Sequence, residues 1–413
     1  MITTQDLLNS LLEHKSAINL ASTDEKNKAL ELMAEQLEDD TDKILKANEK
    51  DIERSKGHIS EVMQDRLLLT KDRILDMANG IRELIDLDDP VGLTLDESTA
   101  DNGMKIVKKS MPFGLIGIIY ESRPNVTSDA AALAIKSGNA VILRGGKEAF
   151  ESAQAIVTAL KAGLEKTSIS PKVIELVQDT TRASSTELMT AKGKIDLLVP
   201  RGGAGLIQAV VEHATVPVIE TGTGLCHIYV DQAADLDKAL KIVENAKVSR
   251  PSVCNAAESL VVHEAIAEEF LPKLETLLDG KVELRADEQA AEYLKTYTEA
   301  TEEDFHTEHL DYILSIKVLG SAEEAISHIN EHSTGHSEAV VTEDSKVANI
   351  FTNEVDSSAV YVNVSTRFTD GGQFGLGCEL GISTQKMHAR GPMGLREMTT
   401  YKYVITGEGQ IRE

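Results

Sequence analysis

Long apolar runs are missing from this sequence. No stretch approaches the roughly 20 apolar residues that a helix needs to cross a bilayer. The first residues, MITTQD, also lack the basic segment followed by an apolar one that marks a secretion signal. We therefore expect an untargeted cytoplasmic protein without a membrane partner.

Positive charge is scarce as well. The 42 lysines and arginines are outnumbered by 68 aspartates and glutamates, which gives a formal net charge of −26. Nucleic acid and anionic membranes both require a basic surface, so this balance argues against either as a partner. Acidic stretches such as residues 302–304 are interpreted as solvated faces that keep the protein soluble.

Cysteines are few, and the usual metal motifs are absent. Cys226, Cys254 and Cys378 are odd in number and lack CxxC spacing, which excludes a disulfide framework and a cysteine zinc site. His306 and His309 form an H-x-x-H in an acidic loop. Because the sequence has no HExxH and no further ligand cluster there, we expect an exposed pair and no metal site.

What is present is the composition of a globular protein. Apolar residues make up 41% and charged residues 27% of 413, a length that suggests two or three domains. Residues 1 to about 90 show helical periodicity, with Ser22 and Glu25 spaced as a capping box. From Leu115 onward, strands alternate with helices. This pattern predicts an α/β fold with two doubly wound domains.

The predicted elements fall into two series. The first comprises strands 115–120, 140–143, 173–177, 195–199 and 216–219, with helices 127–137 and 148–164. The second, after Gly224, comprises strands 227–230, 259–262, 313–318, 338–341 and 359–362, with a helix over 235–246. Residues 104–109 and 400–405 alternate like half-exposed antiparallel strands. We expect these two segments to pair, with pairing across subunits as one arrangement.

A dinucleotide site normally shows G-x-G-x-x-G after the first strand, but here that strand runs into YESRPN without it. The substitute is a turn after a later strand, where Gly202 and Gly203 precede a helix whose N-terminus suits a pyrophosphate. Arg144 and Lys147 follow the second strand and favour the extra phosphate of NADP(H). The competing interpretations are a glycine turn that only punctuates the chain and a solvent-exposed basic turn.

The candidate nucleophile is Cys254, in the segment RPSVCNA between a predicted helix and an apolar strand. Arg250 or nearby backbone amides would favour the reactive thiolate. The alternative is a small buried core residue, which is the role that we expect for Cys226 and Cys378. Two glycine-dense stretches beside a carboxylate, residues 220–224 and 374–384, are candidates for ligand contacts or for a domain hinge.

Five segments in order carry a resemblance: IIYESRPNVT (118–127), VIETGTGLCHI (218–228), RPSVCNA (250–256), STRFTDGG (365–372) and HARGPMGL (388–395). With them, the chain resembles the aldehyde dehydrogenase superfamily over nearly its full length. The closest likeness is to the branch that reduces L-glutamyl 5-phosphate in proline biosynthesis.

This resemblance implies an NADPH-dependent reduction to L-glutamate 5-semialdehyde with release of phosphate, through a thioester on Cys254. It implies that backbone amides near Cys254 and the Asn255 side chain hold the oxyanion. Relatives carry an asparagine before a proline where this chain has Arg123. We therefore expect an anionic substrate pocket formed by Arg123, Arg250 and Arg367.

The resemblance also assigns the remaining sites. It puts the pyrophosphate at Gly202 and Gly203, the adenosine ribose at Arg144 and Lys147, and the nicotinamide ribose at Glu379. Thr221 and Gly222 are expected in the same cofactor site. The implied domains are a cofactor domain (1–224) with a strand arm at about 100–112, a catalytic domain (225–380), and a return segment with an oligomerisation strand (381–413). A homo-oligomer is expected, and glutamate 5-kinase is a candidate partner.

Three alternatives stay open at this point. A hydrolytic NAD(P)-dependent aldehyde dehydrogenase would use Glu220 as the base that activates water. A cysteine-dependent acyltransferase or hydrolase would need a histidine partner for Cys254, and none lies nearby in the sequence. A catalytically dead scaffold would bind nucleotide without any need for Cys254.

Overall fold

A computed structural model describes residues 2–59 and 61–412. The chain forms two compact units, which are described separately. Among the described residues, the first comprises 2–59, 61–221, 375–381 and 393–412, and the second comprises 222–374 and 382–392. This division differs from the predicted one, because the chain leaves the first unit three residues earlier than expected and returns to it twice.

The first unit begins with the predicted helical layer. Its helices are α1 (Thr4–Asn19), α2 (Thr23–Asp39), α3 (Thr41–Ser55), α4 (Glu61–Leu67) and α5 (Lys71–Asp86). The capping box predicted for Ser22 and Glu25 is present at the start of α2. Because its Oγ and carboxylate satisfy otherwise unpaired N–H groups at the first turn, this pair fixes where α2 begins.

Three antiparallel strands form a separate sheet in the first unit. They are β1 (Thr94–Thr99), β2 (Lys105–Pro112) and, from the far end of the chain, β16 (Thr399–Thr406), in the order β1-β2-β16. The two segments singled out for their alternation therefore pair as expected, and they pair within one chain. The sheet starts earlier than the predicted arm, because β1 lies before residue 100.

A parallel four-stranded sheet forms the rest of the first unit. It contains β3 (Leu115–Tyr120), β4 (Ala140–Arg144), β5 (Ile174–Leu176) and β6 (Leu197–Arg201), in the order β5-β4-β3-β6. The connecting helices are α6 (Asn125–Lys136), α7 (Phe150–Leu164) and α8 (Arg182–Met189), and α9 (Ala204–His213) follows β6. Every residue of β3 is buried, as expected for a strand covered on both faces.

Gly138 ends α6 as the sequence predicted. Its φ is +76°, and the N–H groups of Gly138 and Asn139 donate to the carbonyls of Ile135 and Ala134 at 3.1 and 2.7 Å. This is the paired C-terminal closure that requires a left-handed residue, which glycine adopts without steric cost.

The second unit is built on a seven-stranded parallel sheet. Its order is β10-β9-β11-β8-β7-β12-β13. The strands are β7 (Cys226–Val230), β8 (Ala257–His263), β9 (Glu283–Ala286), β10 (Thr298–Glu299), β11 (Ile313–Leu319), β12 (Ser337–Val341) and β13 (Ala359–Val362). The helices are α10 (Leu236–Val248), α11 (Glu264–Leu278), α12 (Glu288–Ala291), α13 (Ala322–His332) and α14 (Ser345–Glu354). A short pair, β14 (Ile382–Ser383) and β15 (Gly391–Pro392), completes the unit.

Alternate residues of β7 and β8 pack on opposite faces of this sheet. Ile228 and Leu260 belong to the apolar cluster that includes α10 and α11, whereas Tyr229 and Val261 belong to the cluster of α13 and α14. Both faces are therefore covered, which confirms the doubly wound arrangement of the second series.

The prediction of a strand over residues 216–219 was wrong. Residues 216–219 make only a single bridge, between Val218 and Leu198, because the chain touches the edge of β6 and then leaves. The short strands β9, β10, β14 and β15 were not predicted, since runs of two to four residues carry too little periodicity. Among the described residues, no helix is long and apolar enough to span a membrane.

Candidate active site

The candidate nucleophile lies at the amino-terminal edge of the second sheet. In the parallel order β8-β7-β12, the segments that precede these strands meet at one edge. Gly224 precedes β7, Cys254 and Asn255 precede β8, and Thr334 precedes β12. The topology thus brings together segments that are up to 110 residues apart.

Cys254 is half-buried, whereas Cys226 is fully buried. All three cysteines are thiols. Burial raises the pKa of Cys226 and, likewise, that of Cys378, so both are held in the unreactive thiol form. The Cys226 thiol donates to the backbone carbonyl of Cys254 at 3.1 Å, which supports the loop from below.

The structure shows why one residue of the glycine-dense stretch 220–224, Gly224, must be glycine. A Cβ at this position would stand 2.6 Å from the Cys254 Cα and nearer still to its carbonyl group. The N–H of Gly224 donates to Oε1 of Glu308 at 2.7 Å. Only a residue without a side chain fits, so Gly224 sets the position of the Cys254 backbone.

The Asn255 side chain is bonded within the protein. Its side chain is buried, and its amide nitrogen donates to the carbonyls of Arg367 and Thr369 at 3.2 and 2.9 Å. Both amide hydrogens are thus used within the protein, which leaves none for an oxyanion. In this structure the Asn255 side chain positions the loop, and the backbone amides near Cys254 are the other candidates for holding the oxyanion.

Arg367 is linked to the Cys254 loop by a hydrogen bond to Asn255. Its guanidinium donates to Oδ1 of Asn255 and, through Nε, to Oγ of Ser249 at 3.1 Å. Thr366 adds a bond from its hydroxyl to the Asn255 carbonyl at 2.7 Å. The segment 365–372, chosen from the sequence, is therefore attached directly to RPSVCNA.

Two of the three predicted arginines lie close enough to interact. Burial lowers the pKa of Arg367, and the positive charge of Arg250 lowers it further. Two cations whose charges interact in this way attract an anion, because an anion relieves their mutual repulsion. Arg123 belongs to the first unit, where its backbone N–H donates to the Glu121 backbone carbonyl at 2.8 Å.

In the first unit, the strand order reverses between β3 and β6. The chain moves from β3 to β4 and β5 on one side and then returns to place β6 on the other. In such sheets, ligands bind beyond the carboxyl ends of the strands at this switch point. The loops found there are residues 121–124 and the turn with Gly202 and Gly203, which was chosen from the sequence as the pyrophosphate site.

Glu121 is a functional candidate that the sequence analysis missed. Its Oε2 accepts from the N–H of Gly203 at 2.8 Å, and a Cβ on Gly202 would stand 2.6 Å from the same oxygen. The carboxylate thus lies at the N-terminus of α9, where the helix dipole favours negative charge. The signal was visible as an acid at the end of β3, but its partner lies more than 80 residues away.

Arg144 and Lys147 have different surroundings. The Arg144 guanidinium donates to the carbonyls of Thr180 and Thr181 at 2.7 and 2.9 Å and to that of Gly145 at 3.3 Å. Most of its hydrogens are therefore used to hold a loop. Lys147 is exposed.

The remaining predicted residues are divided between the units. Thr221 is buried, and its hydroxyl donates to the Pro200 carbonyl at 2.9 Å. Glu220 and Glu379 are half-buried in the first unit. Gly222 opens the second unit, where its N–H donates to the Ile382 carbonyl at 2.9 Å and where a Cβ would collide with Thr384.

The sequence profile of the aldehyde dehydrogenase family matches residues 10–291 and 297–404. The chain belongs to the aldehyde dehydrogenase family. It is 73% identical over 412 residues to a gamma-glutamyl phosphate reductase of Streptococcus suis, with 100% of both chains covered. It is 62% identical over 421 residues to another of the same name from Streptococcus sanguinis, again with 100% of both covered.

A solved aldehyde dehydrogenase family structure matches along the whole chain. The gamma-glutamyl phosphate reductase of Thermotoga maritima superimposes with a TM-score of 0.96 at 48% identity, covering 99% of this chain and 100% of that one. This likeness confirms the predicted aldehyde-dehydrogenase-like α/β fold. Membership of this family implies a nicotinamide cofactor.

The expectation that His306 and His309 form an exposed pair is wrong. His309 is not the neighbour of His306: it is half-buried, with Nε2 3.1 Å from the Ser315 hydroxyl. The ring beside His306 is that of His332, with centroids 4.4 Å apart. A contact between residues 26 positions apart could not be read from the local H-x-x-H spacing.

Proposed function

We propose that this aldehyde dehydrogenase family member reduces L-glutamyl 5-phosphate to L-glutamate 5-semialdehyde in proline biosynthesis, with NADPH as the reductant. The full-length identity of 73% to a gamma-glutamyl phosphate reductase supports the reaction. The single structural observation that carries the proposal is the half-buried Cys254 thiol on a loop that is hydrogen-bonded to Arg367, whose charge interacts with that of Arg250. A nucleophile next to cations suits an anionic acyl phosphate.

The first chemical step forms a bond between Cys254 sulfur and the acyl carbon and breaks the bond from that carbon to the phosphate oxygen. Phosphate leaves with the electron pair, and Arg250 and Arg367 offset its charge. Because phosphate is a good leaving group, this step requires no strong acid. In this reaction the thioester is reduced and not hydrolysed, so no water has to be activated by Glu220, and the names of the relatives do not favour the hydrolytic alternative.

The second step converts the thioester. The reduced nicotinamide supplies a hydride to the acyl carbon when it is bound. Backbone amides of the Cys254 loop stabilise the oxyanion that results, and its collapse expels the Cys254 thiolate and releases the aldehyde. Asn255 keeps this loop in place through its bonds to the segment that contains Arg367.

For the cofactor, we place the pyrophosphate at Gly202 and Gly203, at the switch point of the first sheet. The nicotinamide ribose is assigned to Glu379, and Thr221 and Gly222 are further candidates for binding the cofactor. We assign the choice of NADP(H) over NAD(H) to Lys147, because Arg144 spends most of its hydrogens on backbone carbonyls. Lys147→Ala should raise KM for NADPH about tenfold and leave KM for NADH unchanged. Equal effects on both cofactors would remove Lys147 from this role.

We further propose a cytoplasmic homo-oligomer whose contacts include the sheet β1-β2-β16. Leu95, Tyr401, Tyr403 and Ile405 on that sheet are 49–58% exposed. Exposed apolar residues on an open-edged sheet are characteristic of a protein contact. Glutamate 5-kinase, which would form the labile acyl phosphate, is the proposed supplier of the substrate.

The deciding assay follows NADP⁺ reduction with glutamate semialdehyde, with and without phosphate. The proposed enzyme needs phosphate to release the acyl group, so omission should stop turnover after one acylation. Cys254→Ser should lower kcat by 10³-fold or more, to order of magnitude. Cys378→Ser is the matched control and should remain active. Turnover that is independent of phosphate would indicate the hydrolytic reaction instead.

A further inference from the structure

Three side chains with metal-binding donors converge in the second unit. Glu302 and His306 are the two ends of one short 3-10 helix, and His332 is the last residue of α13. One ligand atom from each lies within 4.8 Å of the others. Nε2 of His332 is 3.0 Å from Oε1 of Glu302, and Nε2 of His306 is 3.8 Å from the same oxygen.

The orientation of His332 is fixed by its other nitrogen. Nδ1 lies 2.8 Å from the backbone carbonyl of His328, and since a carbonyl only accepts, Nδ1 must donate. In the neutral ring, Nε2 then carries a lone pair, which points toward a carboxylate oxygen that also only accepts. A positive charge between these two atoms, either a proton on the ring or a metal ion, makes this 3.0 Å contact favourable. A hydrogen bond from the distal nitrogen to a carbonyl is also the usual support of a metal-binding histidine.

We propose that Glu302, His306 and His332 bind one divalent transition-metal ion, with Zn²⁺ as the best match. Two imidazole nitrogens and one carboxylate oxygen make a three-ligand zinc set, with water completing a tetrahedron. Mg²⁺ and Ca²⁺ are disfavoured, because both prefer oxygen ligands throughout. The His332 side chain is 4% exposed, whereas those of His306 and Glu302 are 46% and 73% exposed. The ion therefore has a buried anchor and an open side for entry and for water.

A second buried imidazole lies against this site. His328 is one helical turn before His332, with ring centroids 4.0 Å apart, and it is nine-tenths buried. Its Nε2 makes no hydrogen bond within the described part of the chain. Burying an imidazole nitrogen without a partner costs free energy.

The site is connected to the nucleophile through short stretches of chain. Glu308, two residues after His306, accepts from the Gly224 N–H at 2.7 Å. Thr334, two residues after His332, donates to the Thr223 carbonyl at 2.5 Å and accepts from the Leu225 N–H at 3.1 Å. A metal that joins the two ligand segments would therefore stiffen the stretch on which the Cys254 backbone rests.

Calorimetric titration with Zn²⁺ tests the proposal, in a Cys254→Ser background so that the catalytic thiol does not bind the metal. We expect one site per chain, and affinity lowered by on the order of 100-fold by His306→Ala or Glu302→Gln. Both residues are exposed, so the variants should fold. His58→Ala, which removes an exposed histidine of the first unit, should bind as the parent does. Absence of binding in the parent, or ligand variants that bind Zn²⁺ as tightly as the parent does, would overturn the proposal.

Cobalt and thermal unfolding provide readouts that do not depend on activity. Co²⁺ in the parent should give the intense visible absorption of a four-coordinate ion, and His306→Ala should abolish it. Zn²⁺ should also raise Tm of the parent but not that of Glu302→Gln, because a ligand stabilises only the state that binds it. A Tm increase of equal size in both proteins, or weak six-coordinate absorption, would contradict the assigned ligands.

Discussion

Gly224 packs directly against the backbone of Cys254, with no room between them for a methyl group. The contact joins the amino-terminal ends of two neighbouring parallel strands, β7 and β8. In the proposed reaction, the sulfur must approach an acyl carbon held by other residues, so its backbone position matters. A displacement of about 1 Å at a reacting atom is enough to lower a rate 100-fold.

Gly224→Ala should therefore lower kcat by about 100-fold while the protein stays folded. The added Cβ would overlap the Cys254 carbonyl, so the loop must move. Gly320→Ala is the control in the same unit, because the nearest atom to its Cβ would be a flexible carboxylate oxygen at 3.4 Å. Steady-state kinetics with circular dichroism checks both. A fully active Gly224→Ala would mean that the loop position is not critical.

Reversing the charge of the predicted pocket separates binding from positioning. Arg250→Glu should raise KM for the acyl phosphate about 10- to 100-fold, since charge-assisted hydrogen bonds are lost, and should change kcat little. Arg367→Glu should also lower kcat, because Arg367 holds Asn255. Arg123→Glu tests the arginine of the first unit. Arg182→Ala, an exposed arginine, is the control. Unchanged KM in all three reversals would eliminate the proposed pocket.

Glu121 should compete with the cofactor phosphates for the N-terminus of α9. Glu121→Gln removes the charge that accepts from Gly203 but keeps the shape of the side chain. We expect NADPH to bind two- to fivefold more tightly, which corresponds to about 0.5–1 kcal/mol for a charge at a helix end. Fluorescence titration of NADPH measures this. Weaker binding would show that Glu121 supports the cofactor.

Asp129 predicts a pH dependence of stability. Burial raises its pKa from 3.8 to about 6, against hydrogen bonds from Asn125 and Ser128, and the charge of Glu379 acts in the same direction as burial. The stability from its protonated form is full below pH 3.8 and is lost as pH rises through 6. Asp129→Asn should therefore gain about 1 kcal/mol over wild type between pH 5 and pH 8.

Urea unfolding of wild type and Asp129→Asn at both pH values measures this gain. Asp101→Asn, which replaces an exposed aspartate, is the control and should give a difference that does not change with pH. A constant difference for Asp129→Asn as well would mean that this carboxyl titrates normally.

The sheet β1-β2-β16 should mediate oligomerisation. Tyr403→Asp places a charge on a position that is 58% exposed in the single chain, so it should shift the protein toward monomer in light scattering. Tyr297→Asp changes a tyrosine of the second unit that is 45% exposed and should leave the mass unchanged. An unaltered oligomer in Tyr403→Asp would place the interface elsewhere.

Local patterns in the sequence determined much of the fold. The capping box at Ser22, the left-handed Gly138 and the continuous apolar run of β3 each act within a few residues, so spacing alone predicted them. The fold class, the two parallel sheets flanked by helices and the pairing of β2 with β16 were also predictable. The bridge at Val218 was mistaken for a strand because its apolar residues look the same whether they pair once or along a full edge.

Only the tertiary structure decided which side chains meet. The order of the strands placed Gly224 against Cys254, Asn255 against Arg367 and Glu121 against Gly203. In the folded chain, the side-chain N–H groups of Asn255 and Arg144 donate to backbone carbonyls. The tertiary structure also showed that the ring next to His306 is that of His332 and not that of His309. The physical reason is that residue spacing fixes periodicity along an element, whereas contacts between distant segments depend on sheet order and on burial of both faces.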